Sequence, residues 1–303
     1  MSEERRGLLL GAAAYGIWGL FPLFWPLLEP ADPFEILAHR VLWSSAVMLL
    51  AVVLLRRRDA VRSVLADRRR RRYLALAAVV IACNWGGYIW GVNHGHVVET
   101  SLGYFVNPLV TVFLGVTVLG ERLRPLQWGA LAVGALAVVV LTVDYGRPPW
   151  IALVLAVSFG VYGLAKKQAA AGAIESLTVE TAFLAPLALV YAVGLGMTGH
   201  ATFASAGLGH AALLACAGVV TAVPLLLFGG AATRISLVGL GLLQYLAPVI
   251  QFVLGLVVFD EAMPLGRWVG FGLVWVALLL LTAESLLHHR RQQLVRAAEA
   301  VAA

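Results

Sequence analysis

Runs of about 20 mainly apolar residues, each long enough to cross the hydrocarbon layer of a membrane as a helix, recur along the whole chain. They fall near residues 7–28, 36–55, 73–93, 97–119 and 125–143, then 149–166, 178–196, 211–229, 236–258 and 265–285. Short turns marked by Pro, Gly, Asp and Arg separate them. The narrowest break lies between the third and fourth runs, where Asn93-His94-Gly95-His96 is the sole interruption. With 61% apolar and 13% charged residues, the chain cannot hide its apolar surface in a water-soluble globule. The expected fold is all-α and integral to the membrane, with ten transmembrane helices. The N-terminus begins like a signal peptide at Arg5-Arg6. Its apolar run is too long for one, and Pro22, Trp25 and Pro26 stand where a small-residue cleavage site belongs, so it reads as an uncleaved first helix.

Basic residues set the expected orientation. With the N-terminus in the cytoplasm, the inner segments 1–6, 56–72, 120–124, 166–177, 230–235 and 286–303 hold 19 of the 22 Lys and Arg residues. The outer segments carry Glu29, Asp32, Glu35, Glu99, Asp144, Asp260 and Glu261. This follows the positive-inside rule and puts both termini in the cytoplasm. The net charge of +6 is then a matter of helix ends, and no nucleic-acid partner is expected. Its densest run, Arg56 to Arg72, reads as a stop-transfer anchor near anionic headgroups. Cys83 and Cys216 lie inside apolar runs and read as small buried residues without a disulfide.

Two sets of echoes divide the chain. Tyr15-Gly16-Ile17-Trp18-Gly19-Leu20 returns as Phe159-Gly160-Val161-Tyr162-Gly163-Leu164. Pro108, Leu114, Gly115, Val118, Glu121 and Trp128 return 140 residues later as Pro248, Leu254, Gly255, Val258, Glu261 and Trp268. The expected division is two related halves, 1–146 and 147–303, with five helices each. An odd number per half starts the second copy from the opposite side of the membrane, so the duplication is read as inverted. Transporters are commonly built this way, with the substrate site between the halves.

The pattern Asn107-Pro108, Gly120-Glu121-Arg122-Leu123 and Gln127-Trp128-Gly129, repeated as Ala247-Pro248, Asp260-Glu261 and Trp268, resembles the EamA-type repeat of the drug/metabolite transporter superfamily. Several further strings resemble the RarD branch. They are the Tyr15 to Gly19 motif, Glu35 to Ser44, Asn84-Trp85, Gly103 to Pro108 and Gln244-Tyr245. The resemblance spans about residues 7 to 285 and implies a ten-helix bacterial inner-membrane permease. The chloramphenicol-related name of that branch does not establish a substrate.

Helical spacing points to the residues that would carry transport. Tyr104, Asn107 and Thr111 share one face of the fourth run, and Gln244, Pro248 and Gln251 share one face of the ninth. Polar groups in hydrocarbon are costly unless paired, so these stripes are expected to face a wet pathway or to hydrogen-bond between helices. Pro108, Pro224 and Pro248 are expected to bend their helices, Pro108 and Pro248 near the middle, and Pro224 sits 140 residues after Asn84. His39 and Arg40 are a basic pair within a span. Arg40 would snorkel outward, pair with Glu35 or Glu99, or attract an anionic group, and His39 would be an interior histidine or a proton carrier. Asn84, Trp85 and Tyr88 form another surface, and Trp18 and Tyr162 are symmetry-related aromatics suited to partly apolar solutes. Gly16, Gly19, Gly160 and Gly163 read as helix-packing glycines. Glu121 and Glu261 are expected at the N-terminal ends of the helices that follow them, and no carboxylate is expected at mid-membrane.

The expected activity is secondary transport of a small metabolite or drug-like solute by alternating access, with no cofactor. The partners are the solute and the lipid bilayer, and the protein is taken as a monomer or weak homo-oligomer. A membrane enzyme is an alternative ranked below a channel, and no His-Glu-x-x-His, P-loop or Gly-x-Ser-x-Gly motif is present. His94-Gly95-His96 has only Glu99 at ligand spacing, so no metal is expected. A channel is the nearer alternative, and it would need more than two weak repeats to build a selectivity ring.

Overall fold

The computed structural model describes residues 3–120, 122–232, 234–235 and 243–302. Glu121 and the first part of the run at 236–258 therefore lie outside the described residues. No strand occurs among the described residues. Helix α1 (Glu3–Gly19) leads into α2 (Phe21–Phe24) and a 3₁₀ turn (Trp25–Leu28), and the pair is bent by 44°. Pro22 explains the break, because it cannot donate to the carbonyl of Trp18 one turn back. Helix α3 (Pro33–Leu54) starts on Asp32, whose carboxylate accepts from the Phe34 and Glu35 amides at 2.8 and 3.2 Å. Then come α4 (Arg58–Ala66), α5 (Arg68–Asn93), α6 (Val97–Leu119), α7 (Pro125–Tyr145), α8 (Trp150–Ala169), α9 (Ala173–Met197) and α10 (Thr202–Ser205). The remaining helices are α11 (Leu208–Ala232), α12 (Leu246–Val257) and α13 (Leu265–Ala302).

Among the described residues, eight helices are long and apolar enough to cross a membrane, or nine with the bent α1–α2 pair as one span, and α12 is a shorter apolar helix. The break at His94-Gly95-His96 is real: Gly95 turns the chain at φ +70° between α5 and α6. Other boundaries move. The arginine run contains a helix of its own, α4, and a second one starts inside it because Asp67 caps α5 through the Arg69 and Arg70 amides. Helix α9 begins at Ala173 rather than near 178, which brings Glu175 into it and sets Glu180 two turns from its start.

Eight helices close a ring. α1 packs on α11, α11 on α3, α3 on α9, α9 on α5, α5 on α8, α8 on α6, α6 on α12, and α12 returns to α1. α7 and α13 pair outside the ring and lean on α6. At the arginine-rich face, ion pairs join Arg57 to Glu175, Arg124 to Glu284 and Arg234 to Glu3. The opposite face is plugged by an apolar cluster built from Phe21, Trp25, Leu28, Ile36, Ile89 and Ile151 with their neighbours. Large side chains such as Leu54, Val143 and Leu187 point outward, as expected where lipid is the solvent. Cys83 and Cys216 also lie on exposed positions, correcting the expectation of buried thiols: an apolar run in a membrane protein has a lipid face as well as a core face.

The glycines of the opening motif divide. A Cβ at Gly19 would meet Ile250 at 2.8 Å and one at Gly160 would meet Val110 at 3.1 Å, whereas Gly16 and Gly163 have open space, so only the first two are packing glycines. The tightest backbone approach is elsewhere: a Cβ at Gly218 on α11 would lie 2.4 Å from the Trp43 carbonyl carbon of α3. Gly218→Ala is therefore expected to cost roughly 1–3 kcal/mol by forcing two ring helices apart. The open-space control Gly194→Ala should be neutral. Equal melting temperatures of the two purified variants would refute that account.

Candidate functional site

The ring encloses a cavity of 830 Å³. It runs from beneath the apolar plug, beside Phe21 and Arg40, to Arg57 and Glu175 at the arginine-rich face. Trp18, Arg40, Asn84, Trp85, Tyr88, Tyr104, Asn107, Tyr162, Gln244 and Gln251 all line it, as does Pro248. The structure thus brings together residues that are up to 233 positions apart in the chain, such as Trp18 and Gln251. Thr111 and His39 do not line it. Thr111 is exposed although it shares a face with Tyr104 and Asn107. His39 points the other way and stacks on Phe203 at 4.5 Å between ring centroids.

The expectation for Pro248 needs correction. Pro108 and Pro224 lie inside continuous helices, and Pro224 is off the cavity wall. Pro248 sits in the first turn of α12 as described, where its missing N–H costs nothing, so it does not bend a helix at mid-span. The carbonyl freed for the site is instead that of Trp18, one turn before Pro22. Gln251 Nε2 donates to it at 3.0 Å and so joins α12 to α1.

Arg40 occupies the closed end of the cavity. It is 3% exposed, and its Nε donates to Thr221 Oγ1 at 3.0 Å. Its guanidinium carbon stands 4.1 Å from the Trp85 ring centre and 4.8 Å from that of Trp25. Neither expected carboxylate reaches it. Glu35 accepts from Thr202 and Phe203, and Glu99 accepts from Arg147 and the Ile151 amide. Asn84 is held rigidly: its Nδ2 donates to Leu155 O and Ser158 Oγ, both at 3.0 Å, while Tyr104 donates to its Oδ1 at 3.3 Å.

Sequence reasoning missed the polar group toward the other end. Lys166 donates to Glu180 Oε1 at 2.8 Å and to Ser176, and Tyr162 donates to Glu180 Oε2 at 3.0 Å. Glu180 is 1% exposed, two turns inside α9. A carboxylate that far into an apolar run, flanked by Thr178 and Thr181, is the signal that would have found it.

At the plugged face lies a second cavity, of 370 Å³, lined by His96, Glu99, Arg147, Glu261 and Arg267 among others. Glu261 does not cap the helix that follows it. Its carboxylate accepts from the Val97 and Val98 amides at the start of α6, across the chain. Burial pushes the Glu261 carboxyl up to about 7, against the two amides that favour its charged form. His94 and His96 stack on Trp90.

Residues 5–143 match the EamA-like transporter family. The chain is 57% identical to Protein RarD of Streptomyces exfoliatus over 96% of its own length and 93% of that protein's. It is 42% identical to the uncharacterized transporter YojE of Bacillus subtilis, over 93% and 95% of the two chains. The chain belongs to the RarD branch of the EamA-type transporters. Membership of that branch makes it a multi-pass membrane transporter, consistent with its long apolar helices. A solved crystal structure, 20% identical, covers 94% of this chain and 98% of its own with a TM-score of 0.57, a likeness of fold alone.

Proposed function

We propose that this RarD-branch protein is a secondary transporter of the bacterial inner membrane that carries a small solute by alternating access between two inverted five-helix halves, 1–146 and 147–303. The observation that supports this best is the ring cavity, sealed by the apolar plug at one face and reaching the arginine-rich face. A wet path closed at one end fits a carrier caught in one of its two states better than an open pore. The helix contacts also pair as an inverted repeat requires. α1–α11 answers α8–α5, α11–α3 answers α5–α9, and α6–α8 answers α12–α1, while α3–α9, α6–α12 and α7–α13 join equivalent helices. On this reading α12 is the shorter described part of a ninth span and α13 the tenth. The arginine-rich face is cytoplasmic, as the positive-inside rule directs, and both termini lie there.

The cavity-lining residues, Asn84 and Gln251 among them, form the proposed substrate path. Flux of a broad metabolite and drug panel into proteoliposomes tests the reading, and no solute-specific flux at all would sink it. Asn84→Ala and Gln251→Ala are expected to lower transport about tenfold each, the value of a lost hydrogen bond to a bound solute, and to impair transport more than folding. Wild-type flux in either variant removes that residue from the path.

A further inference from the structure

Around the cavity most charge is neutralised in place. Arg57 faces Glu175 at 3.4 Å and Lys166 faces Glu180 at 2.8 Å. Arg40 is different. Among the described residues it has no ion pair, only the Thr221 hydroxyl and aromatic faces as partners. Its Nη1 is buried without any hydrogen-bond partner. A guanidinium held inside a membrane without a counter-ion is costly, and ring faces offset only part of that cost. On the walls of the same cavity, Asn107 Oδ1 and Gln251 Oε1 are also buried and unpartnered, both of them acceptors. Much of the remaining wall is aromatic or aliphatic, including Trp18, Phe159 and Phe228.

Resting on the transporter reading above, we infer that the cargo is a small monocarboxylate with an apolar or aromatic body and at least one N–H or O–H donor, its carboxylate seated on Arg40. A planar carboxylate matches the Nη1 donor left unpartnered once Nε is taken by Thr221. One uncompensated cation balances one negative charge, which selects against phosphate esters and other dianions. The carboxylate supplies the missing counter-ion at the plugged end, the body lies against the aromatic walls, and the donor meets Asn107 or Gln251. A cavity of 830 Å³ has the size usual for such solutes.

The test is thermal stabilisation of the purified full-length protein by hydroxy- and N-acyl-substituted aromatic and aliphatic monocarboxylates. Each is compared with its own primary amide and with the matching amine. At least one acid should raise the melting temperature and bind at least tenfold more tightly than its amide. Arg40→Gln should abolish that preference, and Arg40→Lys should restore part of it. If amides or amines stabilise the wild-type protein as well as the acids do, or if no acid stabilises it, the inference is overturned without any variant having to fold. A folded Arg40→Gln protein that still prefers the acid overturns it as well. Proteoliposome flux separates the two claims: uptake of a neutral or cationic solute that Asn84→Ala impairs leaves the transporter reading standing and removes the carboxylate.

Discussion

Lys166→Met is expected to destabilise the protein by about 3–5 kcal/mol, the cost of removing one partner of a buried ion pair and stranding the other. For a chain of this size that corresponds to a fall of roughly 10 °C in melting temperature. The stranded group is Glu180, 1% exposed, which would keep only the Tyr162 hydroxyl. The effect should be asymmetric. Glu180→Gln leaves Lys166 near the arginine-rich face, with 26% of its side chain exposed and Ser176 still accepting, so its loss should be under half as large. The double variant Lys166→Met, Glu180→Gln should recover most of the loss, because no buried charge remains. Melting the four proteins in one detergent measures this. A single variant Lys166→Met as stable as the wild type would show that the pair holds nothing together.

The all-helical membrane fold was legible because lipid imposes one requirement, long apolar runs, which composition displays directly. The cavity wall was legible to the extent that polarity is conspicuous in such runs: Tyr104, Asn107, Gln244 and Gln251 stood out, and the ring places them together. Helical periodicity says which residues share a face, but not where along the helix a neighbour stops covering it. That is why Thr111 was grouped with Asn107 and is exposed. Partner choice was the least legible layer. Arg40 was assigned to Glu35 or Glu99, carboxylates expected at the same membrane face, yet it bonds Thr221, 181 residues away. Glu261 was assigned to the helix next to it in sequence and caps another. Glu180 was overlooked because the start of its helix was placed five residues late.

Glu261→Gln is expected to remove a pH dependence that the wild-type protein shows between about 4.5 and 7, the ordinary and the native values for this carboxyl. In that window the native state holds its proton while the unfolded state has lost it, so the native state binds more protons and stability falls as pH rises. The contribution is full below about 4.5 and gone above about 7. The group is half-buried, so after allowance for solvent screening the change is about 1–2 kcal/mol. Glutamine remains a neutral acceptor for the Val97 and Val98 amides, so the variant should match the wild type near the acid end and exceed it at alkaline pH. The contact also joins the loop before α13 to the start of α6, one half to the other, at the plugged face. Once charged, Glu261 gains by reaching water, so alkaline pH should favour opening there. Hydrogen exchange of the first turn of α6 in the wild type, divided by that of Glu261→Gln at the same pH, should rise from acid to alkaline conditions. The division cancels the intrinsic pH dependence of exchange and leaves the opening equilibrium that the carboxylate controls. A ratio that stays at one across the range would sever Glu261 from the closure of that face.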